Sequence, residues 1–374
     1  MRRGAGIQPV SGHGQDGHTT IHDQSEAKLH MSIIKSMLIA AVALLTVACS
    51  TAPPPAPAPE KPAAVGTIVR LDPAFDELVP KDAQLEKLAD GFTFTEGPIW
   101  RPSGVLWFSD VVGNVVRQYS PSDGKVTEIL NPGGYDGKGN LPAGGYNGPN
   151  GSTADKDGAV LLCQHGYRRI IRVSKDMKIT TVADRYKGKR FNSPNDVVYR
   201  SDGSFYFTDP PYGLPKGDDD PAKELKFNGV FRVANGKPQP VITDLSRPNG
   251  IAISPDQKTL YIGNSDEKNR IWMAYDIADN GTISKGRLFA DVTAEKDAGV
   301  PDGMKMDEKG NLWASGPGGI WVFSPAGKHL GTIKMEQIPA NCNWGDDWKS
   351  LYITARTGLY RIKLSVAGEK QLYQ

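Results

Sequence analysis

The apolar pattern along the chain is one of short alternation. Beyond about residue 80, Val, Ile, Leu, Phe, Tyr and Trp fall at every second position over brief runs, and Gly, Asp, Asn and Pro separate the runs. A period of two predicts strands buried on one face, and the separators predict tight turns. One run recurs six times: VLWFSD around Trp107, VLLCQ around Leu161, FYFTD around Tyr206, LYIGN around Tyr261, LWASG around Trp313 and LYITA around Tyr352. The intervals between these centres run from 39 to 55 residues. Repeats of that length, each holding several short strands, predict an all-β propeller, and six copies predict six blades. No helix-length amphipathic segment interrupts the pattern.

The last repeat is short of a strand. After LYITA and GLYRIKL the chain ends. An unclosed ring would leave an unpaired edge, so Gln84–Leu88, upstream of the first repeat, is expected to supply the missing outer strand.

The polar positions add a second register. Eleven residues before Trp107, Leu161, Tyr206, Trp313 and Tyr352 stand Glu96, Asn150, Asn195, Asp302 and Asn341; twelve before Tyr261 stands Asn249. Each precedes the innermost strand of its repeat, so all six would face the central channel at one height. An Asn or Asp before Gly is often only a turn former. Six at one register, one of them a Glu, form instead a ring of oxygen donors suited to Ca²⁺ or a similar hard cation. Mg²⁺, Mn²⁺ or Zn²⁺ are alternatives, although the ring holds no Cys or His for a thiolate or imidazole zinc site. The turns that follow the second strands return to the same face. They make Asp110, His165, Arg168, Asp209, Tyr212, Asp266 and Arg356 candidates for a substrate pocket over the ring.

The first 80 residues differ in kind. Residues 1–50 read as an N-terminal extension and signal peptide, with Lys35, an apolar run from Met37 to Val47, and Thr-Val-Ala-Cys ending at Cys49. That ending resembles a bacterial lipobox, which implies export and a lipid anchor in the periplasm, on the outer membrane. Residues 51–80 begin TAPPPAPAPEKPAAVG and read as a Pro/Ala linker. Residues 81–374 remain for the propeller. The formal net charge is +2, with both signs interspersed, so no basic stripe points to nucleic acid. Cys163 and Cys342 lie in different repeats and are expected as buried free thiols.

TEGPIW, RFNSPNDVV, TDPPYG, RPNGIAIS and VPDGMKMDEKGNLWAS resemble the senescence-marker-protein/gluconolactonase (regucalcin-like) family, in its bacterial gluconolactonase branch. The resemblance implies a six-bladed propeller with one divalent metal in its channel. It places the metal ligands on Glu96, Asn195, Asn249 and Asp302. It also aligns a recurring turn with His165, Gly166, Arg168 and Arg169, and it marks Ser193 as a departure where such proteins carry Arg. The implied activity is metal-dependent hydrolysis of a sugar lactone to the aldonic acid. Asp302 would take the proton of the attacking water, with His165 as the alternative base. Asn150, His165, Arg168, Asp209, Tyr212 and Asn341 would contact substrate. Two other readings stay open: hydrolysis of other esters or phosphotriesters at the same site, and a binding propeller without catalysis.

Overall fold

The structure is a computed structural model that describes residues 65–138, 141, 145–370 and 372. The leader with Cys49 and the start of the linker lie outside the described residues. From Thr95 onward the described chain lays down six antiparallel sheets of four or more strands in sequence order, each forming one blade of a propeller, with a two-stranded hairpin of Arg185–Tyr186 and Lys189–Arg190 between blades 2 and 3. Blade 1 is Thr95–Arg101, Val105–Asp110, Val115–Tyr119 and Val126–Leu130. Blades 2, 3 and 4 open on Pro149–Ala154, Val197–Tyr199 and Pro248–Ile253. Blades 5 and 6 open on Met304–Met306 and Pro339–Gly345. In every sheet the second strand is the one centred on the recurring apolar run, and all six centres are buried. Their work is packing between blades. Trp313 meets Trp344 of blade 6 edge-on at 5.5 Å, and Tyr352 stacks on Trp100 of blade 1 at 5.7 Å. Cys163 and Cys342 are buried free thiols.

Ring closure comes from the amino-terminal side. Leu85–Ala89 pairs antiparallel with Gly358–Lys363 and completes blade 6, one residue from the expected segment. Part of the expected linker is also folded. Gly66–Arg70 pairs with His329–Met335 as a fifth strand of blade 5, and Ala74–Leu78 forms a short helix. The propeller therefore takes in residues assigned from sequence to 51–80. The reason is local: Ile68 and Phe75 carry apolar surface that blade 5 buries, but two such residues beside a Pro/Ala run give no periodicity to read. Phe75 is 0 % exposed. Arg70 ties the strand to the turn after the helix by donating to the carbonyls of Val79 and Pro80 at 2.9 and 2.7 Å.

The innermost strands meet backbone to backbone around the axis. Gly151 N–H donates to the Asn195 carbonyl at 2.8 Å, and Gly303 N–H to the Ala340 carbonyl at 2.7 Å. A Cβ on Gly97 would lie 2.1 Å from the Asn150 carbonyl oxygen, and one on Gly250 would lie 2.0 Å from that of Asp302. Such contact excludes every residue but Gly. It explains why four of the six ring residues are followed by Gly. In blades 1, 2, 4 and 6 the ladder also slips at this point, between Glu96 and Ile99, Pro149 and Ser152, Pro248 and Ile251, and Pro339 and Asn341. A bulge there re-aims the polar side chain toward the axis.

Two stability outcomes follow. Phe75→Ala is expected to cost about 3–5 kcal/mol in urea unfolding, whereas Leu71→Ala, at an exposed neighbour, should leave the midpoint unchanged; equal and negligible effects would return this segment to a linker. Gly250→Ala is expected to lower stability by about 2–3 kcal/mol through overpacking, read as a fall in Tm.

Candidate functional site

One end of the ring opens into a cavity of about 830 Å³. It lies where inner strands begin and second strands end. Glu96, Asn150, Asn195, Asn249 and Asp302 reach it from blades 1 to 5. Phe94, Tyr146, His165, Tyr212, Arg356 and the segment 295–300 contribute to its walls.

The amides form a directed chain. Asn150 Nδ2 donates to Asn195 Oδ1 at 2.9 Å, Asn195 Nδ2 to Asn249 Oδ1 at 2.5 Å, and Asn249 Nδ2 to Ser265 Oγ at 3.1 Å. Ser265 Oγ in turn meets the Tyr212 hydroxyl. His165 joins through Nε2, 3.0 Å from Asn150 Nδ2, while its Nδ1 lies 3.1 Å from the Tyr146 carbonyl. An Nδ1–H donated to that carbonyl leaves Nε2 as acceptor toward the ring. Burial lowers the His165 pKa to about 4, so the imidazole is neutral.

The carboxylates are crowded. Glu96 Oε2 accepts from Gly97 N–H at 2.8 Å and from Asn341 Nδ2 at 3.0 Å. Burial, then the charge of Asp196, pushes the Glu96 carboxyl up to about 7. Burial, then Glu96 and Asp196, raises Asp302 well above its ordinary value. Asp196 is raised by burial, with Lys305 opposing. Three acids thus share one interior with Lys305 and Arg356 as the nearby opposing charges. Buried carboxylates are stable when paired or bound to a cation. Asn150 Oδ1 is buried with no hydrogen-bond partner. Excess negative charge, an orphan oxygen and a donor set of carboxylate and amide oxygens fit a hard divalent cation. Among the described residues no three His, Cys, Asp or Glu side chains cluster as metal ligands; the four implied ligands are half amide.

Several expected contacts stand elsewhere. Asn341 lies behind the cavity floor, where its amide donates to Glu96. Arg168 does not line the cavity; it donates to the carbonyls of Phe191 and Ala222 at 2.6 and 2.8 Å. Arg169 lies over the Tyr167 ring and donates to Gln164. Asp209 is wholly buried and accepts from Asn192 and Ser193 N–H at 2.7 and 2.8 Å, holding the loop that carries Asn195. Asp110 does the same for Thr93 and Phe94 in blade 1. Asp266 accepts from Ser246 outside the lining. Ser193 is spent on the Pro210 carbonyl and Gly213 N–H. These side chains position backbone because a channel-facing loop without regular pairing needs its N–H groups satisfied.

Sequence reading passed over Asp196, Lys305, Phe94, Tyr146 and Ser265. Asp196 had a signal: it stands where blades 1, 2, 4 and 5 have Gly after the ring residue. Its carboxylate occupies the space beside Gly151, whose Cβ would lie 2.3 Å from Asp196 Oδ1.

Comparison with known proteins agrees with this geometry. Residues 94–357 match the family model SMP-30/Gluconolactonase/LRE-like region. The chain is 38% identical to a gluconolactonase from Zymomonas mobilis over 316 residues, 81% of this chain and 88% of that one. It is 26% identical to a pentonolactonase from Haloferax volcanii, over 70% of this chain and 81% of that one. The structure of a gluconolactonase from Xanthomonas campestris superposes with a TM-score of 0.70 at 32% identity, over 82% of this chain and 98% of that one. The six-bladed ring, its polar floor and these matches together make the chain a member of the SMP-30/gluconolactonase family.

Proposed function

We propose that this protein hydrolyses a sugar lactone to the aldonic acid at the floor of the propeller cavity, with Glu96, Asn195, Asn249 and Asp302 holding one divalent cation, Ca²⁺ foremost. The observation that carries the reading is the arrival of those four side chains, from four blades, in one cavity. The gluconolactonase and pentonolactonase relatives support the substrate class. When bound, the cation supplies Lewis-acid polarisation of the lactone carbonyl. The chain supplies the rest. Asp302 is the proposed general base: its carboxylate lines the cavity floor, where it would meet a water attacking the lactone carbonyl. Water oxygen bonds to the carbonyl carbon, its proton passes to Asp302, and the ring C–O bond breaks with that proton delivered to the leaving oxygen. The product is an open-chain carboxylate, with one proton released to solvent. His165, neutral and facing the amide chain, orients substrate hydroxyls or the ring amides. Tyr212 is tied to Ser265 and so to Asn249, and it presents its phenol to the same cavity. The leader ending at Cys49 supports a periplasmic, lipid-anchored setting for this chemistry.

Proton release from a panel of aldonolactones, with a paraoxon-type phosphotriester as comparison, is the direct test. Lactone turnover should fall at least about a hundredfold on chelation and return with a divalent cation; undiminished turnover without any cation ends the proposal. Asp302→Asn should reduce kcat by about 10²–10⁴ with a smaller change in KM, measured on protein whose thermal melt matches wild type. His165→Ala losing as much as Asp302→Asn would move the base to the imidazole.

A further inference from the structure

Arg356 is one of the charged groups that line the cavity. It sits in the turn between Ser350–Ala355 and Gly358–Lys363 of blade 6, with φ at 43°. Its carbonyl accepts from Thr95 N–H at 2.8 Å, so its root is fixed to the start of the blade 1 inner strand. Its guanidinium lies 5.5 Å from the centroid of the Phe94 ring. Phe94 is itself braced edge-on by Tyr146 at 5.5 Å. Among the described residues the guanidinium makes no hydrogen bond or ion pair. Two other charged groups on this cavity are spent on partners: Arg270 donates to the carbonyls of Gly299, Thr293 and Glu295, and Asp297 pairs with Lys334. A guanidinium resting on an aromatic face keeps its fork of N–H donors free, and that fork matches a carboxylate.

Charge counting on the floor gives the fork a purpose. Glu96 and Asp302 balance a divalent cation, and the charge of Lys305 opposes that of Asp196. Arg356 is a positive charge with no paired acid among the described residues, near enough to act on Asp302. A lactone is neutral and leaves that guanidinium without an anionic partner. Ring opening creates one negative charge at the reacting carbon, which lies above the floor. We propose that Arg356 receives the carboxylate of the ring-opened product, acting as the residue by which the site distinguishes the aldonate from the neutral lactone. The proposal rests on the lactonase reading. It assigns to Arg356 a part in product affinity rather than in attack on the carbonyl. The Phe94–Tyr146 pair holds the exposed guanidinium at the rim of the cavity, where a product carboxylate leaving the floor can meet it.

The test compares an anion with its neutral counterpart. Gluconate and glucitol are titrated calorimetrically into metal-loaded and metal-free wild type, Arg356→Ala, Arg356→Lys and, as a control cation of the cavity, Lys296→Ala. Arg356→Ala should bind gluconate about tenfold more weakly, bind glucitol as wild type does, and lose most of the salt dependence of gluconate binding. Arg356→Lys should recover part of the affinity and Lys296→Ala all of it. In lactone turnover, Arg356→Ala should raise the gluconate inhibition constant by the same factor while KM for the neutral lactone moves less than about twofold. Unchanged gluconate affinity in Arg356→Ala, equal losses for gluconate and glucitol, or no gluconate binding by wild type would each overturn the assignment. Wild type that turns over lactones beside an Arg356→Ala with unaltered gluconate affinity defeats this inference alone. Wild type that turns over no lactone, yet binds gluconate through Arg356, defeats the lactonase reading and leaves the anion site standing.

Discussion

The structure depends on how closely six backbones approach one axis. At the channel floor the inner strands touch with no side chain between them, as the space around Gly97 and Gly250 shows. That contact sets the diameter of the ring. It also decides where the preceding residue points, because a glycine step beside a bulge turns Glu96, Asn150 and Asn249 inward. Polar groups brought this near must satisfy one another. Asn150, Asn195 and Asn249 do so in series, and Asn341 serves Glu96 from beneath. The same constraint that closes the propeller therefore gathers carboxylate and amide groups at one end of the channel.

The arrangement carries an electrostatic cost. Burial raises the pKa of Glu96, Asp196 and Asp302 alike; the charge of Asp196 raises Glu96 and Asp302 further, and Glu96 adds to the rise of Asp302. Fold stability has to come from elsewhere, and the interblade aromatics and the strands contributed to blades 5 and 6 by residues 66–89 are where the burial lies. Function sits at the strained centre, and cohesion sits in the sheets around it.

Much of this was legible in the chain. Strong alternation around Trp107, Tyr206 or Trp313 is a direct image of a strand buried between neighbours, and it gave the number and order of blades. The register of Glu96, Asn195, Asn249 and Asp302 was readable because a repeating fold turns a constant sequence offset into a constant height. What could not be read was contact between blades. Asp209 and Arg168 look like pocket residues by their place in a turn, yet their partners are backbone groups of loops that no local pattern locates. Gly66–Arg70 was lost for a related reason: its alternation is too brief to count, and its pairing partner Lys334 is remote. Asp196 broke a Gly rule that the register of the ring residues shows in the sequence, but the space its carboxylate fills beside Gly151 appears only in the closed ring.

The two strands that precede blade 1 have a bearing on how the molecule assembles. Thr67 pairs with Lys334, and Leu85 with Ile362. These strands are thus made early in the described chain, while their partners are made late. Gly66–Arg70 cannot reach its final place until blade 5 exists, nor Leu85–Ala89 until blade 6 does. Loop closure over such a span is slow and comes late in folding. Until then the lone strands offer open edges to any neighbouring chain. The ring is consequently a clasp whose two halves are separated by most of the described chain.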